Sequence, residues 1–69
     1  MNIQNAIKRF KKEIGKKVIA YEDKGDRVII ITDFPNGKCD TNYYEVTESE
    51  INVTNPILSN LNNDRVVKL

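Results

Sequence analysis

The 69-residue chain lacks histidine and tryptophan and contains a single cysteine, Cys39. Histidine is the most common general base and, with cysteine, the main zinc ligand, so its absence argues against both kinds of site. One cysteine forms no internal disulfide, which argues against a disulfide-stabilised secreted module. No apolar run approaches the roughly 18 residues of a membrane span. Residues 1–4 are not followed by the continuous apolar segment of a signal peptide. These absences predict a cytoplasmic protein with no cofactor, no metal and no membrane association.

The length and composition limit the architecture. We expect one small domain over residues 1–69, because a chain of this size has room for a single core and buries only about 60% of its unfolded surface. Isoleucine, asparagine and lysine are abundant, and all three have AT-rich codons. This composition favours an origin in an AT-rich bacterium or one of its phages.

Charge is segregated along the chain, although the net charge is only +1. Six basic residues and one acidic residue give residues 1–17 a net charge of +5, whereas five basic and nine acidic residues give residues 18–69 a charge of −4. The sequence therefore joins a basic N-terminal segment to an acidic remainder.

The first element is predicted to be a helix over residues 3–14. Its apolar side chains share one stripe about 100° wide at helical spacing, and they are Ile3, Ala6, Ile7, Phe10 and Ile14. Asn2 suits the N-cap position, and Gly15 suits the left-handed residue that ends a helix. Arg9 and Glu13 form an i,i+4 pair on the opposite, basic face.

Three β-rich runs follow the helix and predict an antiparallel meander. Residues 17–22 and 27–34 flank a turn with Gly25, and a second turn at residues 34–38 leads into a third strand at about Cys39 to Thr47. Charge favours a register that pairs Arg27 with Glu22 in the first hairpin and with Glu45 in the second. A slip of one residue in the second hairpin would place Asp33 directly opposite Asp40, and opposed like charges destabilise a strand pair. In the favoured register Val28 faces both Tyr21 and Tyr44.

Both faces of the predicted sheet are apolar. One face holds Ile19, Tyr21, Val28, Ile30 and Tyr44, and the other holds Val18, Ala20, Ile29, Ile31 and Tyr43. The fold is therefore expected to be α+β, with the helix packed on an antiparallel meander of three strands plus one or two short C-terminal strands. We expect the helix on the Ala20 face, since a small residue there leaves room for Phe10. The other face is then closed by residues 51–69 or by a second copy of the chain.

The C-terminal third has weaker patterns. Residues 51–54 alternate like a short strand, residues 57–61 suit one helical turn, and residues 65–69 suit a final strand. Asn55-Pro56 breaks the chain between the first two.

Candidate functional residues fall into two groups. A basic cluster could contact nucleic-acid phosphates, and it comprises Lys8, Arg9, Lys11, Lys12, Lys16 and Lys17. Tyr21 and Tyr44 are candidate protein-interface residues, because one helix covers only one face of the sheet. No catalytic set is proposed, since Cys39 lacks a histidine partner and the carboxylates are scattered among turns.

The sequence thus predicts a non-enzymatic protein-interaction module that binds an unknown protein or associates with itself as a homodimer. Nucleic-acid binding through the basic helix face is the alternative. An enzyme that uses carboxylates or Cys39 is the least favoured interpretation.

Overall fold

A computed structural model describes residues 1–33 and 42–69. The elements are helix α1 and strands β1 to β5, with a 3₁₀ turn before the last strand: α1 Ile3–Glu13, β1 Val18–Asp23, β2 Val28–Thr32, β3 Tyr43–Val46, β4 Ile51–Thr54, the 3₁₀ turn Asn63–Arg65, and β5 Val67–Lys68. The strands form one antiparallel sheet in the order β4-β3-β2-β1-β5. The predicted α+β layout is confirmed.

Helix α1 begins and ends where its capping residues indicate. The Asn2 side chain accepts a hydrogen bond from the Asn5 N–H at 3.1 Å, which satisfies one of the free donors of the first turn. Gly15 follows the last turn with φ +79°, the left-handed conformation that glycine adopts without steric cost. The ends of the helix are therefore specified locally.

The helix packs on the face of the sheet opposite to the predicted one. Phe10 is fully buried against Val28, Ile30 and Val46, and its ring lies 4.9 Å from that of Tyr44. The prediction that α1 covers the Ala20 face is wrong for a physical reason. That face also carries Glu22, whose buried carboxylate needs hydrogen-bond donors that an apolar helix stripe lacks.

A bulge moves one residue of β1 between the two faces. The pairing of β1 with β2 shifts between Val18 and Ala20, so Val18 pairs with Thr32 and joins the core beneath α1. The extra residue is Ile19. The prediction that Val18 shares a face with Ala20 is wrong, because a bulge interrupts the alternation of side chains between the two faces of the sheet.

Both predicted hairpin registers are wrong by two residues. Tyr21 pairs with Ile30 rather than Val28, because the first loop is only two residues long: the Lys24 N–H donates to the Arg27 carbonyl at 2.9 Å, and Gly25 has φ +91°. Tyr44 also pairs with Ile30. A shift of two residues keeps each side chain on its face, so most of the predicted face assignments remain correct.

The structure describes only part of the second hairpin. The predicted turn at residues 34–38 and the first residues of the predicted third strand fall in residues 34–41, outside the described ranges. Arg27 and Glu45 do form the expected ion pair, with Arg27 Nε 3.3 Å from Glu45 Oε2. The pair is diagonal, since Glu45 lies opposite Ile29.

The second face is covered in cis by the C-terminal third. β4 and β5 lie at opposite edges of the sheet, so residues 55–66 must cross one of its faces. They cross the Glu22 face, because the Asn62 N–H donates to Glu22 Oε1 at 2.9 Å. The predicted strand at residues 51–54 is confirmed, and a Ser59 N–H bond to the Asn55 carbonyl forms the helical turn that follows it. The predicted final strand at residues 65–69 is shorter and spans Val67–Lys68.

Candidate interaction surfaces

The predicted basic cluster divides into free and engaged cations. Four lysines are exposed and have no ion pair or hydrogen bond through their side chains within the described ranges: Lys8, Lys11, Lys12 and Lys17. The three on α1 occur at i, i+3 and i+4, so their ammonium groups are neighbours on one helix surface. We call Lys8, Lys11 and Lys12 the lysine face.

Arg9 belongs to the fold rather than to the lysine face. Its Nη1 donates to the Glu48 carbonyl and its Nη2 to the Glu50 carbonyl, both at 3.0 Å. Its Nε lies 3.3 Å from a Glu13 carboxylate oxygen, which confirms the predicted i,i+4 pair. The planar guanidinium thus ties α1 to the turn between β3 and β4.

Lys16 and Tyr44 are also structural. The Lys16 ammonium lies 5.5 Å from the centre of the Tyr44 ring, a cation–π distance. Tyr44 is only 6% exposed beneath α1, and Tyr21 is half-buried against the same core. Helix α1 covers the face of the sheet that carries both tyrosines. Tyr44 is therefore buried in this fold and is not a surface residue, as a protein interface at that position would require.

Among the described residues, no strand pairs with the outer edge of β4, a surface that the sequence did not locate. The Thr47 N–H donates to the Glu50 carbonyl at 2.9 Å, so hydrogen-bonded pairs alternate outward from that turn. This alternation directs the backbone N–H and C=O groups of Ile51 and Val53 away from β3. Val53 also presents its side chain, which is 76% exposed. An added strand would find both backbone partners and an apolar contact here.

The turn that follows β4 exposes two more large apolar side chains. Ser59 is fully buried, and its hydroxyl donates to the Asn55 carbonyl at 2.8 Å. That turn leaves Ile57 and Leu58 pointing outward, 89% and 77% exposed. A detectable sequence signal marks this region, because residues 51–63 contain no charged residue in a chain that is 30% charged.

A polar cleft joins the crossing segment to β1. Glu22 is 1% exposed, accepts the Asn62 N–H, and lies 3.0 Å from Lys24 Nζ. Burial alone raises the pKa of the Glu22 carboxyl, but the Asn62 N–H, the Lys24 ammonium and the Arg65 charge together lower the pKa below its ordinary value. Lys24 Nζ also donates to the Asn60 carbonyl at 2.8 Å. The buried, charged Glu22 carboxylate therefore fastens the crossing segment, through Asn62, to β1.

The described residues offer no metal centre. No group of three or more histidine, cysteine, aspartate and glutamate side chains in residues 1–33 and 42–69 could hold a metal ion. Cys39 lies outside these ranges. Over the same part of the chain, no helix has the length and apolarity needed to cross a membrane.

Comparisons with protein-family models, with curated proteins and with solved structures give no match for this chain.

Proposed function

We propose that this chain is a non-enzymatic interaction module that associates with a second copy of itself through the open edge of β4. The observation that supports the proposal is an uncharged edge strand that exposes Val53 and two outward-facing backbone positions. Natural edge strands usually carry charges or proline that oppose pairing, and residues 51–54 carry neither. A cytoplasmic location, supported by the single cysteine, belongs to the same proposal.

A second copy suits this edge because of its charge. A strand that pairs with its own copy places its charges opposite like charges or near them, which destabilises the pair. Residues 51–63 hold no charge at all, so self-pairing carries no such cost. The net charge of +1 on the whole chain also adds little repulsion between copies.

The pairing would be antiparallel about a twofold axis. Ile51 of one copy would exchange backbone hydrogen bonds with Val53 of the other, and Asn52 would face its own copy. Ile51 and Val53 point to the α1 side of the sheet, since they pair with Val46 and Tyr44. The pairing would therefore extend one continuous sheet and cover the exposed Val53 side chain.

The test is solution mass by light scattering, from about 10 μM to about 1 mM, since a four-residue edge makes a small, weak interface. The wild-type chain should shift from 7.9 kDa toward twice that mass. Val53→Lys should stay monomeric at every concentration, because an edge lysine opposes strand addition.

The matched control is Val67→Lys, which adds the same charge to the same sheet face at the opposite edge. This variant should still dimerise. A wild-type monomer over the whole range would overturn the proposal, and so would a Val53→Lys variant that dimerises as well as the wild type.

A further inference from the structure

The lysine face is a second surface, and its charge has no partner in the described fold. Only one acidic residue, Glu13, lies in residues 1–17, and its carboxylate pairs with Arg9 rather than with a lysine. Lys8 and Lys12 stand at i,i+4, an arrangement of like charges that destabilises a helix. Within residues 1–33 and 42–69, no acidic side chain forms an ion pair with Lys8, Lys11 or Lys12.

Four of the ten acidic residues lie at one end of the sheet, whereas Asp33 lies at the other end, next to Lys17. Asp23 and Asp26 flank the β1–β2 turn, and Glu48 and Glu50 flank the β3–β4 turn, which closes the same end of the antiparallel sheet. Lys17 lies at the opposite end, where its carbonyl accepts the Asp33 N–H at 3.2 Å. A nearly neutral chain thus keeps a concentrated positive surface, which is the electrostatic footprint of a polyanion-binding protein.

We infer that the lysine face binds the phosphate backbone of a nucleic-acid duplex without reading its sequence. Lys8, Lys11 and Lys12 span about 6 Å along the helix axis at 1.5 Å per residue, and a duplex presents a charge about every 1.7 Å along its own axis. Several phosphates therefore lie within reach of one helix.

Two features favour a duplex over other polyanions. A membrane-surface helix needs a free apolar face, but the stripe of α1 is committed to the core, with Ala6 and Phe10 buried. Single-strand binders stack bases on exposed aromatic rings, but the aromatic rings among the described residues are buried or half-buried. The highest density of phosphate charge, that of a duplex, remains the best match.

The test is fluorescence anisotropy of the full chain with a labelled 20-base-pair DNA of arbitrary sequence. With the three lysines engaged, affinity should fall about 40-fold between 50 and 200 mM salt, by the counterion-release relation. Lys8→Glu should weaken binding at 50 mM about tenfold or more and reduce the salt slope by about 1.

Two controls separate binding from folding and from net charge. Lys8→Glu places a carboxylate one turn before Lys12, a stabilising i,i+4 order, so its melting temperature should equal or exceed that of the wild type. Lys68→Glu makes the same change in net charge on β5, and its affinity should stay within about threefold of the wild type.

The inference does not rest on self-association, because the lysine face is complete in one chain. It is overturned if the duplex does not bind at 50 mM salt, or if the Lys8 and Lys68 variants lose affinity equally. Tighter binding to phosphatidylserine vesicles than to the duplex would also overturn it and would assign the lysine face to a membrane surface.

Discussion

Glu22→Gln tests whether the buried carboxylate fastens the C-terminal third to the sheet. The Glu22 side chain is 2% exposed and that of Lys24 is 14% exposed, so solvent screens their 3.0 Å ion pair only weakly. A hydrogen bond to a charged group contributes about 1.5–3 kcal/mol. Glutamine keeps the shape and one acceptor but loses the charge, and we expect a loss of about 2 kcal/mol.

That loss is large for a domain of this size. At about 0.05–0.15 kcal/mol per residue, the whole free energy of unfolding is on the order of 3–10 kcal/mol. A loss of about 2 kcal/mol should lower the melting temperature by about 8–16 °C. Urea denaturation at neutral pH measures the change, and the slope of unfolding free energy against urea should stay constant.

The pH dependence gives a second readout of the same contact. The folded pKa of Glu22 is lowered from its ordinary value of 4.5. The stability that this carboxylate contributes is therefore present above pH 4.5 and is lost as the pH falls through the lower, folded pKa. Glu22→Gln should remove this part of the acid sensitivity, so the wild type and the variant converge in stability at low pH.

The control for this prediction is Glu45→Gln. Glu45 also pairs with a cation at 3.3 Å, but its side chain is 32% exposed and that of Arg27 is 30% exposed. The control should lose less than about 1 kcal/mol, as partly exposed ion pairs do. The interpretation that Glu22 fastens the C-terminal third to the sheet is refuted if Glu22→Gln is no more destabilising than Glu45→Gln at neutral pH.

Two further substitutions test the packing of α1. Arg9→Lys keeps the charge but cannot span the Glu48 and Glu50 carbonyls, so it should lose about 1 kcal/mol in urea denaturation and speed amide exchange at residues 47–50; stability equal to the wild type would contradict this geometry. Phe10→Ala should lower the free energy of unfolding by about 3–5 kcal/mol, because the ring is fully buried. Ile14→Ala, at the exposed end of the stripe, should lower it by less than about 1 kcal/mol. Similar losses in both variants would show that the helix does not pack on the sheet through Phe10.

Sequence reasoning predicted the elements well because their signals are local. The N-cap at Asn2, the left-handed glycine after the helix and the apolar stripe each depend on neighbouring residues, and all three are present in the structure. The apolar run of β2 indicated a strand covered on both sides, and its five residues are buried. These patterns sufficed for the α+β class and for the order of elements.

The errors arose where one residue decides a long-range choice. Glu22 determines which face the helix takes, because it needs donors that the Asn62 N–H of the crossing segment and the Lys24 ammonium of the β1–β2 turn supply. A bulge at Ile19 and a two-residue loop at Gly25 then set the registers. The candidate sites show the same difference. The exposed lysines of α1 are predictable from helix periodicity, which is local, whereas the position of β4 at an edge depends on the order of all five strands.

The two proposed surfaces are geometrically compatible. Antiparallel pairing about a twofold axis normal to the sheet keeps the same face of both copies on one side. Both copies of α1 would then lie on that side, and each would present its lysines on the surface turned away from the core. A face-to-face dimer on the α1 side would instead oppose the two lysine faces and repel. Charge on α1 therefore disfavours stacking through the α1 face and is compatible with pairing of copies through the uncharged β4 edge.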